Sequence, residues 1–317
     1  MITTTHSVSG RFATRLLAGL IALVLVGLFL GGCATAPANR ATFTPKEAAV
    51  VRAARLQNKI VFLSSPELDS TKPVLLLLHG ATDDPVEMMD IAHEWSGRFN
   101  VLLYAYNYHK PIETVSADFL REMKKLRTRM DEQNVPGQSL TVVTYSYSAA
   151  VFRKAVLMTY APVLFADLSL IQLVPTAGGS YLALWMKNPV AALFVSLASE
   201  VSAVENPYGK IATTLWGEEG DRKFYSIINP NRMHTILVEG DRNSLADFPD
   251  EEIHRRYNKG NGINVIIIPK STGATHEYFP SEPQSLEYLR KILDAVPDVV
   301  VSFRDQVVLK SIVPMFR

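Results

Sequence analysis

The sequence predicts an α/β fold with a mostly parallel central sheet and helices on both faces. Short, continuous apolar runs of strand length recur along the chain, and stretches with helical apolar spacing alternate with them. The run at residues 72–80 (KPVLLLLHG) has no polar residue between Val74 and Leu78, as suits a strand buried on both faces of a parallel sheet. A serine-rich pentad, residues 144–148 (TYSYS), sits where one such run, at 140–143, gives way to helical spacing at 149–157.

The elements follow in order. Arg11 and Arg15 precede an uncharged apolar stretch that ends at Cys33, the only cysteine in 317 residues. The LGGC at 30–33 resembles the lipobox of bacterial lipoproteins, in which the cysteine is diacylated and becomes the new N-terminus. The run is also near the ~20 residues needed to span a bilayer. The small pair Gly31-Gly32 before a lone cysteine, and the Ala/Thr/Pro/Asn stretch after it, favour cleavage and lipidation over a plain membrane anchor. Residues 1–32 are therefore read as a signal peptide and 33–55 as a tether passing into a short helix. Ala34 after the cysteine resembles the mark for outer-membrane sorting, so the expected location is the bacterial cell envelope, lipid-anchored on the periplasmic side of the outer membrane.

Strands are expected at 60–64, 73–79, 100–106, 139–145, 167–174, 234–239 and 263–268. Helices are expected at 85–97, 113–134, 147–160, 181–204, 247–258 and 282–295. These fill one domain at 56–298. The interval between the strand ending near Pro175 and the one ending at Gly240 is longer than one crossover needs, and residues 181–204 are strongly apolar, so 176–226 is assigned as a helical cap insertion. An ordinary crossover helix at 181–204 is the alternative. Residues 299–317 form an apolar C-terminal tail.

Composition excludes several functions. Without residues 1–32 the chain carries 30 basic and 31 acidic residues, which leaves no electrostatic footprint for nucleic acid. The basic run at 121–129 reads as the solvated face of an amphipathic helix. No H-E-x-x-H, P-loop, G-x-G-x-x-G or cysteine pair is present, so no metal or nucleotide cofactor is expected.

A serine between strand and helix with small residues at −2 and +2 has the layout of a nucleophile elbow, because bulky side chains at those flanks would collide across the turn. Here the flanks are Thr144 and Ser148 where glycine is usual. Together with a strand ending in His79-Gly80 and a late histidine, His276, after the last strand, the pattern resembles the α/β-hydrolase family, and its lipase and esterase branch most. Residues 143–153 align with a V-G-H-S-M-G-G-x-x-x-R elbow, and the resemblance spans about residues 60–296.

The resemblance implies a Ser-His-acid mechanism without cofactor. Ser146 would be the nucleophile, with Ser148 as a rival that the strand-to-helix register and Arg153 disfavour. His276 would be the general base. The oxyanion hole would be formed by the backbone N–H groups of Tyr147 and Ala81, with His79 orienting backbone in the oxyanion loop. The acid is expected three residues after Gly240, where Asn243 stands. Asp241 is ranked first for the role, Asp247 second and Asn243 third. The implied function is a membrane-anchored hydrolase of ester or thioester bonds in acyl or lipid-like substrates. A catalytically eroded hydrolase-fold protein serving as a binding scaffold, and an amidase or peptidase on the same triad, are the alternatives.

Overall fold

The computed structural model describes residues 44–63, 66–80, 85–108, 110–175, 218–238, 264–274, 279–281 and 283–294. Contacts divide the chain into residues 1–40 and 41–317, and every described residue belongs to the second unit.

Seven strands form one sheet: β1 (Lys59–Phe62), β2 (Val74–Leu78), β3 (Asn100–Ala105), β4 (Leu140–Tyr145), β5 (Ser169–Leu173), β6 (Met233–Val238) and β7 (Asn264–Ile268). Their order is β1-β3-β2-β4-β5-β6-β7, with β1 antiparallel to β3 and every other pair parallel. Each lies within two residues of its predicted place.

The sheet carries a core on each face because its central strands are apolar on both sides. On β2, Val74, Leu76 and Leu78 enter one cluster and Leu75 and Leu77 the other. The first cluster is closed by α3 (Ile112–Glu132), α4 (Ser148–Met158) and α5 (Glu218–Ile227), and Phe119 of α3 packs there against Tyr104, Phe152 and Phe165. The second is closed by α1 (Pro45–Gln57), α2 (Met89–Trp95) and α6 (Pro283–Asp294).

Local chemistry explains several element ends. Thr44 and Glu47 form a reciprocal capping box at the start of α1, with Pro45 at a position where its missing N–H costs nothing. The helix ends on Asn58 in the left-handed region (φ +52°), whose side-chain Nδ2 donates to Asp118 and whose side-chain Oδ1 accepts from the Asn107 N–H. Glu122 of α3 accepts from the Ile60 N–H, so a carboxylate covers part of the open edge at β1. The basic run lies on α3: Arg121 and Lys125 are exposed and paired with Asp118 and Glu122, while Met123 and Leu126 face the core.

The helix α5 occupies the last residues of the long interval before β6. Its Phe224, Ile227 and the following Ile228 are buried in the α3/α4 core, so α5 supplies a crossover helix between β5 and β6. Residues 176–217, including the apolar stretch at 181–204, lie outside the described residues, as do 1–43, the predicted helix at 247–258 and the tail at 299–317. Among the described residues no helix is long and apolar enough to cross a membrane.

Candidate active site

Because β2 to β7 are parallel, their C-terminal ends meet along one edge of the sheet. From β2 the chain passes to β3 on one side and later to β4 on the other, so strand order reverses between β2 and β4. In open α/β sheets this switch point is where ligands bind, beyond the carboxyl ends of the strands. His79 follows β2 and Ser146 follows β4, one on each side of it.

Ser146 has φ +52°. A left-handed conformation at a non-glycine residue costs on the order of 1–2 kcal/mol and needs support from its surroundings. The support is visible: the Ser146 N–H donates to the Leu173 carbonyl of β5 at 2.9 Å, and the Ser146 carbonyl accepts from Ala149 at 3.2 Å. With β4 ending at Tyr145 and α4 starting at Ser148, the chain reverses over two residues, Ser146 and Tyr147, of which only Ser146 has positive φ, as an elbow requires.

The two flanking side chains are fully buried. Ser148 Oγ accepts from the Tyr145 N–H at 2.8 Å and shares its proton between the carbonyls of Leu78 and Tyr145, each at 2.9 Å. A hydroxyl so enclosed cannot meet a substrate, which removes Ser148 as a rival nucleophile. Thr144 Oγ1 lies 3.5 Å from the Ile171 carbonyl, turned toward β5. Arg153, which the alignment singled out, is buried in α4 with its guanidinium 4.7 Å from the Phe224 ring centre, a cation–π contact between α4 and α5.

His79 is wholly buried. Its Nδ1 lies 2.8 Å from the Gly80 carbonyl, and its Nε2 accepts from the Tyr106 N–H at 3.2 Å. This assigns the proton to Nδ1. The ring stacks on Tyr106 at 4.2 Å, and the Tyr106 hydroxyl donates to the His79 carbonyl at 2.6 Å. Burial, then the positive charge of Arg55, pushes the imidazole down to about 3. His79 is thus a neutral structural group at neutral pH, with both ring nitrogens committed, and it organises backbone rather than moving protons. Tyr106 was not singled out from sequence; an aromatic residue at the end of an apolar strand carries no mark that separates it from ordinary core.

Tyr147 is the N-cap residue of α4 and is 1% exposed. N–H groups at a helix start have no intrahelical acceptor, which is why this position suits an oxyanion donor. His276, Asp241, Asn243, Asp247, Ala81 and Cys33 lie outside the described residues. The strands that lead to three of these segments are described: β2 runs toward Ala81, β6 ends at Val238 before Asp241, and β7 ends at Ile268 before His276. All three end at the edge that carries Ser146.

Among the described residues no group of three or more His, Cys, Asp or Glu side chains is placed to hold a metal. A cavity of about 670 Å³ lined by Glu47, Asp69, Lys72, His93 and Asn100 lies at the opposite edge, by the N-terminal ends of β2 and β3.

No protein-family model and no curated protein matches the sequence. Solved structures do match. Esterase B from Lactobacillus rhamnosis, in a C6-C4 SN3 inhibited form, superposes with TM-score 0.51 at 13% identity, covering 90% of this chain and 96% of that one. The same esterase with a C4-C4 SN3 tributyrin phosphonate gives 0.51 at 12%, with 91% and 96% covered. Carboxyl esterase 2 from the mycorrhizal fungus Tuber melanosporum gives 0.54 at 12%, with 75% and 86% covered. The chain has the α/β-hydrolase fold. Ser146 follows β4 in this sheet, and β6 and β7 lead into the segments that hold Asp241 and His276.

Proposed function

We propose that this protein is a serine hydrolase of the lipase/esterase type, acting on ester or thioester bonds of acyl substrates. The observation that carries the reading is Ser146 at φ +52° between β4 and α4, at the sheet's switch point. Val174 also has positive φ, so what supports the reading is strain at a serine with small flanks between a parallel strand and a helix, where a nucleophile must stand clear of both. Similarity in fold to esterases, one of them with a tributyrin phosphonate, supports an acyl substrate.

In the proposed mechanism Ser146 Oγ attacks the carbonyl carbon while His276 takes its proton. The charge that forms on the carbonyl oxygen is met by the N–H groups of Tyr147 and Ala81, donors of a kind worth roughly 3 kcal/mol each. The tetrahedral intermediate collapses, His276 returns the proton to the departing alcohol or thiol, and an acyl-serine remains. Water, deprotonated by His276, then releases the acid and restores Ser146. Asp241 orients His276 and stabilises its charged form. Lipidation at Cys33 would hold the enzyme on the envelope membrane, with Ala34 directing it to the outer membrane.

The test is covalent labelling with a fluorophosphonate alongside a panel of acyl esters, thioesters and amides of graded chain length. The wild-type chain should label and turn over esters, and Ser146→Ala should lose both. Labelling that survives in Ser146→Ala would reject the nucleophile. A wild-type chain that neither labels nor hydrolyses any substrate would favour the binding-scaffold reading, to which the glycine-free flanks Thr144 and Ser148 point.

A further inference from the structure

The end of β2, where the segment leading to Ala81 begins, has three consecutive backbone carbonyls each held by a side chain. Leu78 O accepts from Ser148 Oγ at 2.9 Å, His79 O from the Tyr106 hydroxyl at 2.6 Å, and Gly80 O faces His79 Nδ1 at 2.8 Å. The first of these bonds comes from the nucleophile turn itself. Ser148 also accepts the N–H of Tyr145, the residue immediately before Ser146, at 2.8 Å. One hydroxyl therefore bridges two segments 70 residues apart in sequence: the turn that presents Ser146 and the strand end that precedes Gly80.

A glycine at this position, as the usual elbow has, would satisfy the steric demand and supply no bridge. Serine is small enough to fit and adds a donor and an acceptor, both used, in a spot with no solvent exposure. The two segments it joins are those whose mutual placement decides whether a carbonyl oxygen can reach the donors while its carbon meets Ser146 Oγ. Displacements of about 1 Å in such an arrangement cost on the order of 10²-fold in rate.

We infer that Ser148 is a positioning residue, whose hydroxyl fixes the nucleophile turn against the end of β2 and so sets the placement of Ser146 relative to the strand end at Leu78–Gly80. Tyr106 supports the same strand end from β3, through its hydroxyl and through its hold on the His79 ring. This rests on the serine-hydrolase reading, and the experiment separates the two.

Ser148→Ala, Ser148→Thr and Tyr106→Phe are to be compared with wild type in the full chain by backbone amide exchange and by kinetics. Ser148→Ala should speed exchange at both 143–147 and 76–80, lower kcat about 10- to 100-fold with KM changed less than about threefold, and slow fluorophosphonate labelling in proportion. Ser148→Thr, which keeps the hydroxyl, should recover part of the rate. Tyr106→Phe should speed exchange at 76–80 alone. Faster exchange confined to 143–147 with kcat unchanged would reduce Ser148 to a turn cap and overturn the inference. If the wild-type chain neither labels nor turns over, the hydrolase reading fails, and paired or unpaired exchange at the two segments still decides whether Ser148 joins them. Should Ser148→Ala fail to fold, Ser148→Gly provides the same comparison.

Discussion

Ser146 donates its backbone N–H to the carbonyl of Leu173 at 2.9 Å while its own φ stands at +52°. The next strand repeats the arrangement: Val174, at φ +38°, donates to Ile236 at 2.8 Å. At both strand ends the parallel ladder is carried one residue beyond the strand, and the residue that carries it is turned into the left-handed region. The bond to β5 is what lets the turn at Ser146 keep a conformation that L-residues avoid.

The strain at Ser146 has a measurable consequence. Glycine adopts positive φ at no steric cost, so Ser146→Gly should be more stable than Ser146→Ala by about 1 kcal/mol, less the greater chain entropy glycine has when unfolded. Both variants should be inactive. Urea midpoints of the two are the measurement, and an alanine variant more stable than the glycine variant by the full entropy difference of about 0.4–1 kcal/mol would show that φ at this position carries no strain.

Acid should destabilise the fold through His79. Above pH 6.5 the residue is neutral in both folded and unfolded states and makes no difference. Between about 6.5 and about 3 the unfolded chain takes up a proton that the folded chain refuses, so stability falls as pH is lowered, by about 1.4 kcal/mol per pH unit for one such group. His234, half-buried and also lowered by burial, acts in the same direction. Denaturant midpoints between pH 7.5 and 5, above the carboxylate range, should show this slope, and it should be flatter in His79→Gln. A wild-type profile flat over that range would contradict the buried, neutral imidazole.

The acid is the position at which the chain departs most from its family resemblance. If Asp241 orients His276, Asp241→Asn should lower turnover by as much as ~10⁴, as where the acid sets the tautomer, and Asp247→Asn should cost little. Asn243→Asp is the sharper comparison. A rise in rate would place the acid at 243, whereas a neutral or harmful effect is expected with Asp241 already serving. Steady-state kinetics of the three variants on one ester decide among them.

Anchoring is tested at Cys33. Two or more acyl chains hold a protein stably on a membrane, and none gives no anchoring. Cys33→Ser should therefore accumulate as an unprocessed precursor or appear in the soluble fraction, while the wild type should fractionate with outer membrane and carry acyl chains by mass. A mature wild-type protein free in the periplasm without acyl chains would refute lipidation.

The seven strands were legible in the sequence because strands covered on both faces must be apolar on both faces. Residues 74–78 are five consecutive aliphatics for that reason, and all five are fully buried. The helix over Ile112–Glu132 was legible for the complementary reason: Val115, Phe119, Met123 and Leu126 recur at helical spacing and face one core. The helix α5 is not legible in this way, and most of it falls within the 176–226 interval that the sequence assigns to a cap. Its first turn begins with two glutamates, a glycine and an aspartate, so the apolar stripe of Phe224 and Ile227 is too short to register as periodicity.

The candidate site divides in the same way. By itself the sequence determined that a serine flanked by small residues stands between a buried strand and a helix, and that a His-Gly pair closes an earlier strand. These are local facts, written in residue size and polarity over a few positions. The strand-to-helix register already favoured Ser146 over Ser148, but only the tertiary structure decided that the Ser148 hydroxyl is locked on a carbonyl of β2 while Ser146 is held at positive φ by a carbonyl of β5, contributed from positions 78 and 173. It likewise decided that His79 is a neutral clamp, because the Tyr106 amide and ring that hold and cover it come from the residue just after β3. Backbone partners brought together by parallel pairing leave no trace in side-chain identity, and so they become visible only once the sheet has closed.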